Sequence, residues 1–390
     1  MRSEGEVTSF KLHRSDGIVS ELHYQQTTKV RGYNEEERIR KNPFFESGKP
    51  MKNWMLHEID NYDEVEGMWG ERWGGEGFGK LREVLMCRPT PNEFRAEFVK
   101  EWQYYQLAGP VRDFEKHLAK SEEQFENLVK AYRDCGVKVN IIDPPFPTIG
   151  IYGYLKNLIT LAGAGLVMHG GAIVTRAALG PWQRGREVLY TKALLDIGVP
   201  VYMSFRGKAV CEIGAGRWLD GKRFVMNEGI VGNEEGFRQV KPLFDEFGFE
   251  LITCHSPGWI NKMFDEQTGL IGTWHVDWFL HPVKVGLVLL YPDLVNYGMV
   301  RYLMEHKVEV IEIPDQKELF ALGGNVGLIE DGKILIDPAA KTVRKELEKR
   351  GVDCVEVDFS EGANAGYGMH CAALDLLRDQ PSPTLEEIKR

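Results

Sequence analysis

The chain has 390 residues, 43% hydrophobic and 27% charged, with a formal net charge of −10. That is the balance of a soluble globular protein, and the acidic excess, offset by no basic tract, disfavours nucleic acid as a partner. No apolar run reaches membrane-spanning length, and Met1–Val30 lacks the apolar core of a signal peptide, so the expectation is a cytoplasmic protein with no membrane partner.

The first 60 residues are rich in charge and poor in periodic apolar positions. They read as an N-terminal arm, residues 1–60, ordered against a neighbouring subunit of a homo-oligomer, and leave 61–390 as the catalytic domain. Two large aromatics, Trp69 and Trp73, follow in a glycine-rich loop. Beyond it, strands and helices alternate. Leu81–Arg88 reads as a strand ended by Pro89, Arg112–Arg133 as an amphipathic helix, and Val137–Ile142 as a second strand. Short strands at Leu158–Leu161, Leu166–His169 and Ala172–Thr175 precede a helix near Arg184–Leu195 and a strand at Val199–Met203. Val210–Ile213 and Arg223–Asn227 flank Asp220-Gly221, a favoured hairpin dipeptide. A helix over Glu234–Phe247 and a strand at Glu250–Thr253 complete that unit. Val283–Leu290 reads as one buried strand, followed by a helix at Asn296–Glu305 and a strand at Val308–Ile313. A second Asp-Gly hairpin, Asp331-Gly332, introduces the last unit, with a helix at Lys341–Arg350 and a strand at Asp353–Val357.

The same strand–strand–helix–strand module therefore recurs about five times, at roughly 40- to 60-residue spacing, and repetition on that scale points to a radial or stacked α/β architecture. An open doubly wound sheet would place single strands between helices, without Asp-Gly hairpins. No glycine-rich phosphate loop follows a strand, so no nucleotide cofactor is indicated.

Four stretches carry chemistry. Near the C-terminus, Gly366-Tyr367-Gly368-Met369-His370-Cys371 places one thiol after small residues, where Gly368 allows another molecule to come close. In Trp274-His275-Val276-Asp277-Trp278, an extended backbone would put His275 and Asp277 on one face, an imidazole beside a carboxylate suited to acid–base work. Glu212 ends a strand that runs into Ile213-Gly214-Ala215-Gly216. Asn157 opens the second unit. The six cysteines are widely spread, with no CxxC spacing, which fits free thiols in a reducing compartment. His-x-Asp without paired cysteines or HxxxH is too little for zinc, so no metal and no other cofactor is called for.

Taken in order, Asn157, then Glu212-x-Gly214, then His275-x-Asp277, then Gly366-x-Gly368-x-His370-Cys371, the chain resembles the pentein superfamily. This group contains arginine deiminases, dimethylargininases, arginine dihydrolases and amidinotransferases. Supporting segments are Asn233–Gln239, Ala321-Leu322-Gly323-Gly324-Asn325-Val326 and Cys371–Asp379, so the resemblance runs from about Lys80 to Asp379. It implies a five-fold pseudo-symmetric β/α propeller, the pentein fold, with Cys371, His275, Asp277 and Glu212 catalytic and Asn157, Gly368 and Trp274 at the substrate. By the same resemblance, Cys371 attacks an sp² carbon bonded to several nitrogens, and His275 first protonates the leaving group and then activates water. Arginine-hydrolysing members usually carry aspartate where Asn157 stands, although arginine dihydrolases have asparagine there, often aspartate where Ala215 stands, and an arginine that clamps the amino-acid carboxylate where Val231 stands. Those differences point away from a free amino acid and toward a small, nitrogen-rich amidine such as a 2-substituted imidazole. A guanidino enzyme (dihydrolase, deiminase or amidinotransferase) and an inactive pentein serving as a binding module are the alternatives.

Overall fold

In a computed structural model, the structure describes residues 7–13, 19–25, 46–49, 60–89, 114–142, 164–178, 185–229, 231–256, 275–319, 323–365 and 367–388. The chain divides into two compact units, Met1–Arg72 and Trp73–Arg390. In the first, β1 (Val7–His13) and β2 (Val19–Gln25) pair antiparallel, and helix α1 (Asn61–Trp69) is capped by Asp60, whose carboxylate accepts from the Tyr62 amide.

The second unit repeats one pattern. Its described residues form five three-stranded sheets, none closed on itself. Four of them run hairpin, helix, third strand. These are β5 (Gly165–Met168), β6 (Gly171–Val174) and β7 (Val201–Ser204); β8 (Arg217–Trp218), β9 (Arg223–Asn227) and β10 (Glu250–Cys254); β11 (Leu280–Lys284), β12 (Leu287–Leu290) and β13 (Glu309–Glu312); and β14 (Gly327–Glu330), β15 (Lys333–Ile336) and β16 (Asp353–Glu356). In each the first two strands are antiparallel and the third lies parallel to the second. The remaining sheet has the same topology with its strands drawn from the two ends of the unit. There β17 (Ala373–Arg378) pairs antiparallel with β3 (Leu81–Cys87), which pairs parallel with β4 (Lys138–Ile142).

The burial of the strands follows from this layout. Middle strands β6, β9 and β12 are buried along their whole length, whereas the third strands β4, β7, β10, β13 and β16 are half-exposed. A strand packed on both faces needs a continuous apolar run, and Arg223–Asn227 and Leu287–Leu290 approach one. Helices α2 (Phe114–Asp134), α3 (Arg186–Ile197), α4 (Glu234–Glu246), α6 (Tyr297–Glu305) and α7 (Lys341–Glu348) connect the second strand of each sheet to the third. Between α4 and α6, α5 (Val276–Phe279) is a single turn. The core is apolar in the expected manner, with Phe224, Phe244, Leu289 and Ile336 in one cluster and Leu81, Met86, Phe125 and Tyr132 in another.

Local signals set the elements. Asn233 caps α4 by accepting from the Gly236 amide at 2.9 Å, and its oxygen also accepts from Val210 N at 3.0 Å. Asp220 holds the β8–β9 turn by accepting from the Lys222 and Arg223 amides, both at 2.8 Å, as expected of an Asx turn. Three sequence expectations need correction. The first strand of the Asp220-Gly221 hairpin is Arg217–Trp218, not Val210–Ile213, because Ile213–Ala215 coils into a 3₁₀ turn. Val283–Leu290 is not one strand: the chain reverses at Val285-Gly286, where Gly286 takes φ 83°, and divides it between β11 and β12. His275-Val276-Asp277 is not extended, since His275 is the N-cap of α5 and Asp277 sits in its first turn. The expected strand at Leu158–Leu161 lies outside the described residues.

Candidate active site

Two carboxylates, Glu212 and Asp277, are buried, and each touches an imidazole. Glu212 leaves the isolated bridge at Cys211 and is held by its own amide, which donates to Val231 O at 2.8 Å. Its Oε1 accepts from the Ala178 amide at 2.8 Å, and its Oε2 lies 2.9 Å from His275 Nε2 and 3.9 Å from the Arg186 guanidinium. Burial by itself would raise the Glu212 pKa. The hydrogen bond and charge of His275, the charge of Arg186 and the Ala178 amide outweigh it, and the carboxyl falls below its ordinary range. For His275, burial acts to lower the pKa, but Glu212 and Asp277 prevail and raise it. Both shifts favour the imidazolium–carboxylate form of the pair.

Asp277 is placed by the turn α5, whose neighbours Val276, Trp278 and Phe279 are all buried and anchor it. Its Oδ2 lies 2.7 Å from His370 Nδ1 and accepts from the Cys371 thiol at 3.3 Å. Burial would raise this carboxyl too, yet His370, His275 and the thiol together lower it. His370 goes the other way. Burial and the charge of Arg217 lower its pKa against the pull of Asp277, so a neutral ring donates Nδ1–H to the carboxylate. Edge-on to it at 5.6 Å stands the fully buried His281, which burial also keeps neutral. The other oxygen of Asp277, Oδ1, is buried with no hydrogen-bond partner among the described residues.

Cys371 sits in the turn leading into β17, where the Ala372 amide donates to Gly368 O at 3.1 Å. It is 5% exposed, so the expectation of an open loop thiol gives way to a nearly enclosed one. Burial and the adjacent Asp277 charge raise its pKa well above the ordinary thiol value. The free protein therefore holds a thiol here, not a thiolate. Behind His370 is a cavity lined by Arg217, Asp375, Arg378 and glycines that include Gly75 and Gly165. Arg217 is buried and its pKa is pulled down to about 10 by that burial, which still leaves it charged at neutral pH.

Of the residues the sequence singled out, the structure brings Cys371 to Asp277 and Glu212 to His275. Gly368 packs against Asn325, and a Cβ there would collide with the Asn325 side chain. Asn157 and Trp274 lie outside the described residues. Ala215 and Val231 are buried apolar side chains. Three further residues were not identified from sequence. His370 directly precedes the cysteine, so its position was in view. Asn325 stood in the quoted Gly-Gly-Asn segment. Arg186, at the start of α3, had no local signal.

No family model matches the chain. Over 342 residues it is 24% identical to the 2-nitroimidazole nitrohydrolase of Mycobacterium sp. (strain JS330), covering 85% of this chain and 89% of that protein. It is 30% identical over 334 residues to inosamine-phosphate amidinotransferase 1 of Streptomyces glaucescens, covering 75% of this chain and 90% of that protein. The chain belongs to the pentein superfamily. It is thus an enzyme of the class that acts on C–N bonds of amidine- and guanidine-type carbons through a cysteine nucleophile. Solved pentein structures agree in fold. The N-terminal domain of ArgZ, an arginine dihydrolase from cyanobacteria, superposes with a TM-score of 0.60 at 16% identity, covering 76% of this chain and 97% of that one. DDAH from Pseudomonas aeruginosa gives 0.57 at 15% identity, covering 76% of this chain and 100% of that one. Among the described residues, no helix is long and apolar enough to cross a membrane, and no group of three or more His, Cys, Asp or Glu could hold a metal ion.

Proposed function

We propose that this chain hydrolyses an amidine-like carbon in a small nitrogen-rich substrate that is not a free amino acid, a 2-substituted imidazole such as a nitroimidazole being the leading candidate. Cys371 is the nucleophile, Asp277 the substrate grip, and His275, held by Glu212, the acid and then the base. The carrying observation is the division of labour on Asp277. One oxygen touches the thiol and His370, while the other is buried without a partner among the described residues and is suited to an N–H of the substrate.

The proton balance can be followed through both steps. As sulfur forms its bond to the sp² carbon, the thiol proton passes to the acceptor in contact with it, Asp277 Oδ2. The bond to the leaving nitrogen breaks, and an amine leaving group takes its proton from His275. Water then attacks the thioether-linked carbon and gives a proton to the now neutral His275. The C–S bond breaks and sulfur regains its proton from Asp277. A nitrite leaving group departs without the proton of His275, which then has to release it to solvent before water can be activated.

The substrate preference rests on the relative with 2-nitroimidazole in its name and on Val231 and Ala215, apolar where the arginine-hydrolysing pattern has charge. A second reading, transfer of an amidino group to an amine, is favoured by the 30% identity with the amidinotransferase. Asn157, Trp274 and Gly368 are proposed as substrate contacts, the five sheets as blades of a closed five-fold propeller, and residues 1–60 as an arm on the catalytic domain 61–390. We further place the protein in the cytoplasm as a homo-oligomer. The deciding experiment offers 2-nitroimidazole, related amidines and L-arginine to the purified chain, with and without amine acceptors, and measures nitrite, ammonia, urea and transferred amidine. Nitrite or ammonia released in water supports the hydrolase. Turnover that needs an amine supports the transferase. A kcat/KM for L-arginine above about 10⁴ M⁻¹s⁻¹, the ordinary range for a true substrate, would sink the non-amino-acid reading.

A further inference from the structure

We propose that Asn325 is a positioning residue for the reaction, holding Cys371 and Asp277 in register and presenting an N–H to the sulfur. The inference rests on Cys371 being the nucleophile and extends that reading to a residue one module away from the His-x-Asp turn.

Asn325 is fully buried, just ahead of β14, and all four hydrogen-bonding positions of its amide are used. Oδ1 accepts from the backbone amides of His370 at 3.0 Å and Cys371 at 3.3 Å. Nδ2 donates to Asp277 O at 3.1 Å and to Cys371 Sγ at 3.3 Å. One side chain thereby fixes the backbone of the cysteine turn and the backbone of α5, the two segments that must present sulfur and carboxylate to the same carbon. The main chain adds a further tie, Met369 N to Asn325 O at 3.3 Å. The site accommodates the amide by omitting a side chain opposite it, since a Cβ at Gly368 would overlap Asn325 Oδ1.

The chemistry of the amide matters as much as its shape. Sulfur at rest donates to Asp277, and as its proton moves to that carboxylate the sulfur loses its own donated bond and needs a donor from elsewhere. The other titratable groups around it are the neutral His370, His281 against that ring, His275 at the N-cap of α5, and Arg217 with Asp375 in the cavity that His370 also lines. Among the side chains of the described residues, Asn325 Nδ2 is the donor to the sulfur, beside a backbone contact from Gly368. A hydrogen bond to a charged acceptor is worth more than one to a neutral acceptor, so this contact strengthens as the proton leaves sulfur. Aspartate, nearly the same size, would turn a donor facing sulfur and Asp277 O into an acceptor.

The test follows alkylation of Cys371 by iodoacetamide across the thiol titration range, reading the Cys371 peptide by mass spectrometry, alongside kcat and KM. Asn325→Asp is expected to raise the alkylation midpoint by about one pH unit or more and to slow labelling at neutral pH by about tenfold or more. Asn325→Ala adds no charge and should shift the midpoint in the same direction by less. In both, kcat should fall while KM changes little. Gly368→Ala, which crowds the same amide, should shift the midpoint the same way. Midpoints equal to the unaltered protein in the Asn325 variants would overturn the proposal while leaving the nucleophile in place. Full turnover by Cys371→Ala would instead remove the reading on which it rests. Should the Asn325 variants fail to fold, the unaltered protein still decides. The Asn325 side-chain N–H resonances should move when Cys371 is alkylated, and resonances that stay put would overturn the proposal.

Discussion

The two imidazole–carboxylate pairs of the site look alike and are in opposite states. Glu212–His275 is an ion pair, with the carboxyl lowered and the imidazole raised. Asp277–His370 joins a carboxylate to a neutral ring. Distance does not separate them, at 2.9 and 2.7 Å, and neither does burial of the acid. The neighbours do. Each ring has two carboxylates and one guanidinium near it, but the balance differs: at His275 burial and Arg186 are outweighed by Glu212 and Asp277, whereas at His370 burial and Arg217 outweigh Asp277 and Asp375. One pair thus favours holding a proton for the leaving group, and the other favours an ionised carboxylate next to the thiol. Environments that push like groups apart in pKa are the means by which one site supplies both acid and acceptor.

Several experiments would break or sharpen that contrast. The largest effect is expected from Cys371→Ala, which serves both pairs: turnover should fall by roughly a thousandfold or more with the fold intact by circular dichroism. A variant with near-normal activity would dissolve the site. His275→Asn removes the stored proton, and kcat should drop by about 10²- to 10⁴-fold. The loss should be smaller for a substrate whose leaving group departs as an anion than for one that leaves as an amine, a difference read by comparing the two substrates. His370→Asn keeps a donor near Asp277 but loses the ring. Turnover should fall about tenfold, the scale of one hydrogen bond to a charged group, with the alkaline limb of the pH profile unmoved because His275 is untouched. If that limb moves, the two pairs are coupled more tightly than their geometry indicates.

The smallest effect concerns stability. Glu212 is depressed in the fold, so its contribution is complete above the ordinary value of 4.5 and is lost as pH falls through its lower native pKa. His275 is raised, so its contribution is complete below the ordinary value of 6.5 and is lost as pH rises through its higher native pKa. The ion pair therefore stabilises most between pH 4.5 and 6.5. Glu212→Gln should lower stability by about 1 to 3 kcal/mol in that window, and by less on either side, in urea titrations at several pH values. A pH-independent difference would show that packing, not charge, holds the pair.

Much of this was written in the linear pattern. The Asp331-Gly332 and Asp220-Gly221 turns, the amphipathic helices and the apolar middle strands mark the repeating module, because hairpin chemistry and periodicity are local. Cys371, His275, Asp277 and Glu212 could likewise be picked out by residue type and context. What sequence could not supply was the pairing. Two residues of separation in His275-Val276-Asp277 suggested a shared face, and the turn at α5 instead sends His275 to Glu212 and Asp277 to His370 and Cys371. Val285-Gly286 carried only one turn residue, too weak a mark against a long apolar run to reveal the β11–β12 reversal. Asn325 stands 48 residues from Asp277 and 46 from Cys371, and Arg186 is likewise remote from Glu212 in the chain; their roles arise from contacts, 3.9 Å from Glu212 and 3.3 Å from the sulfur. Composition and periodicity record which faces must be buried. Which buried proton sits on which ring depends on charges brought together from separate modules, and that is decided only when the sheets pack.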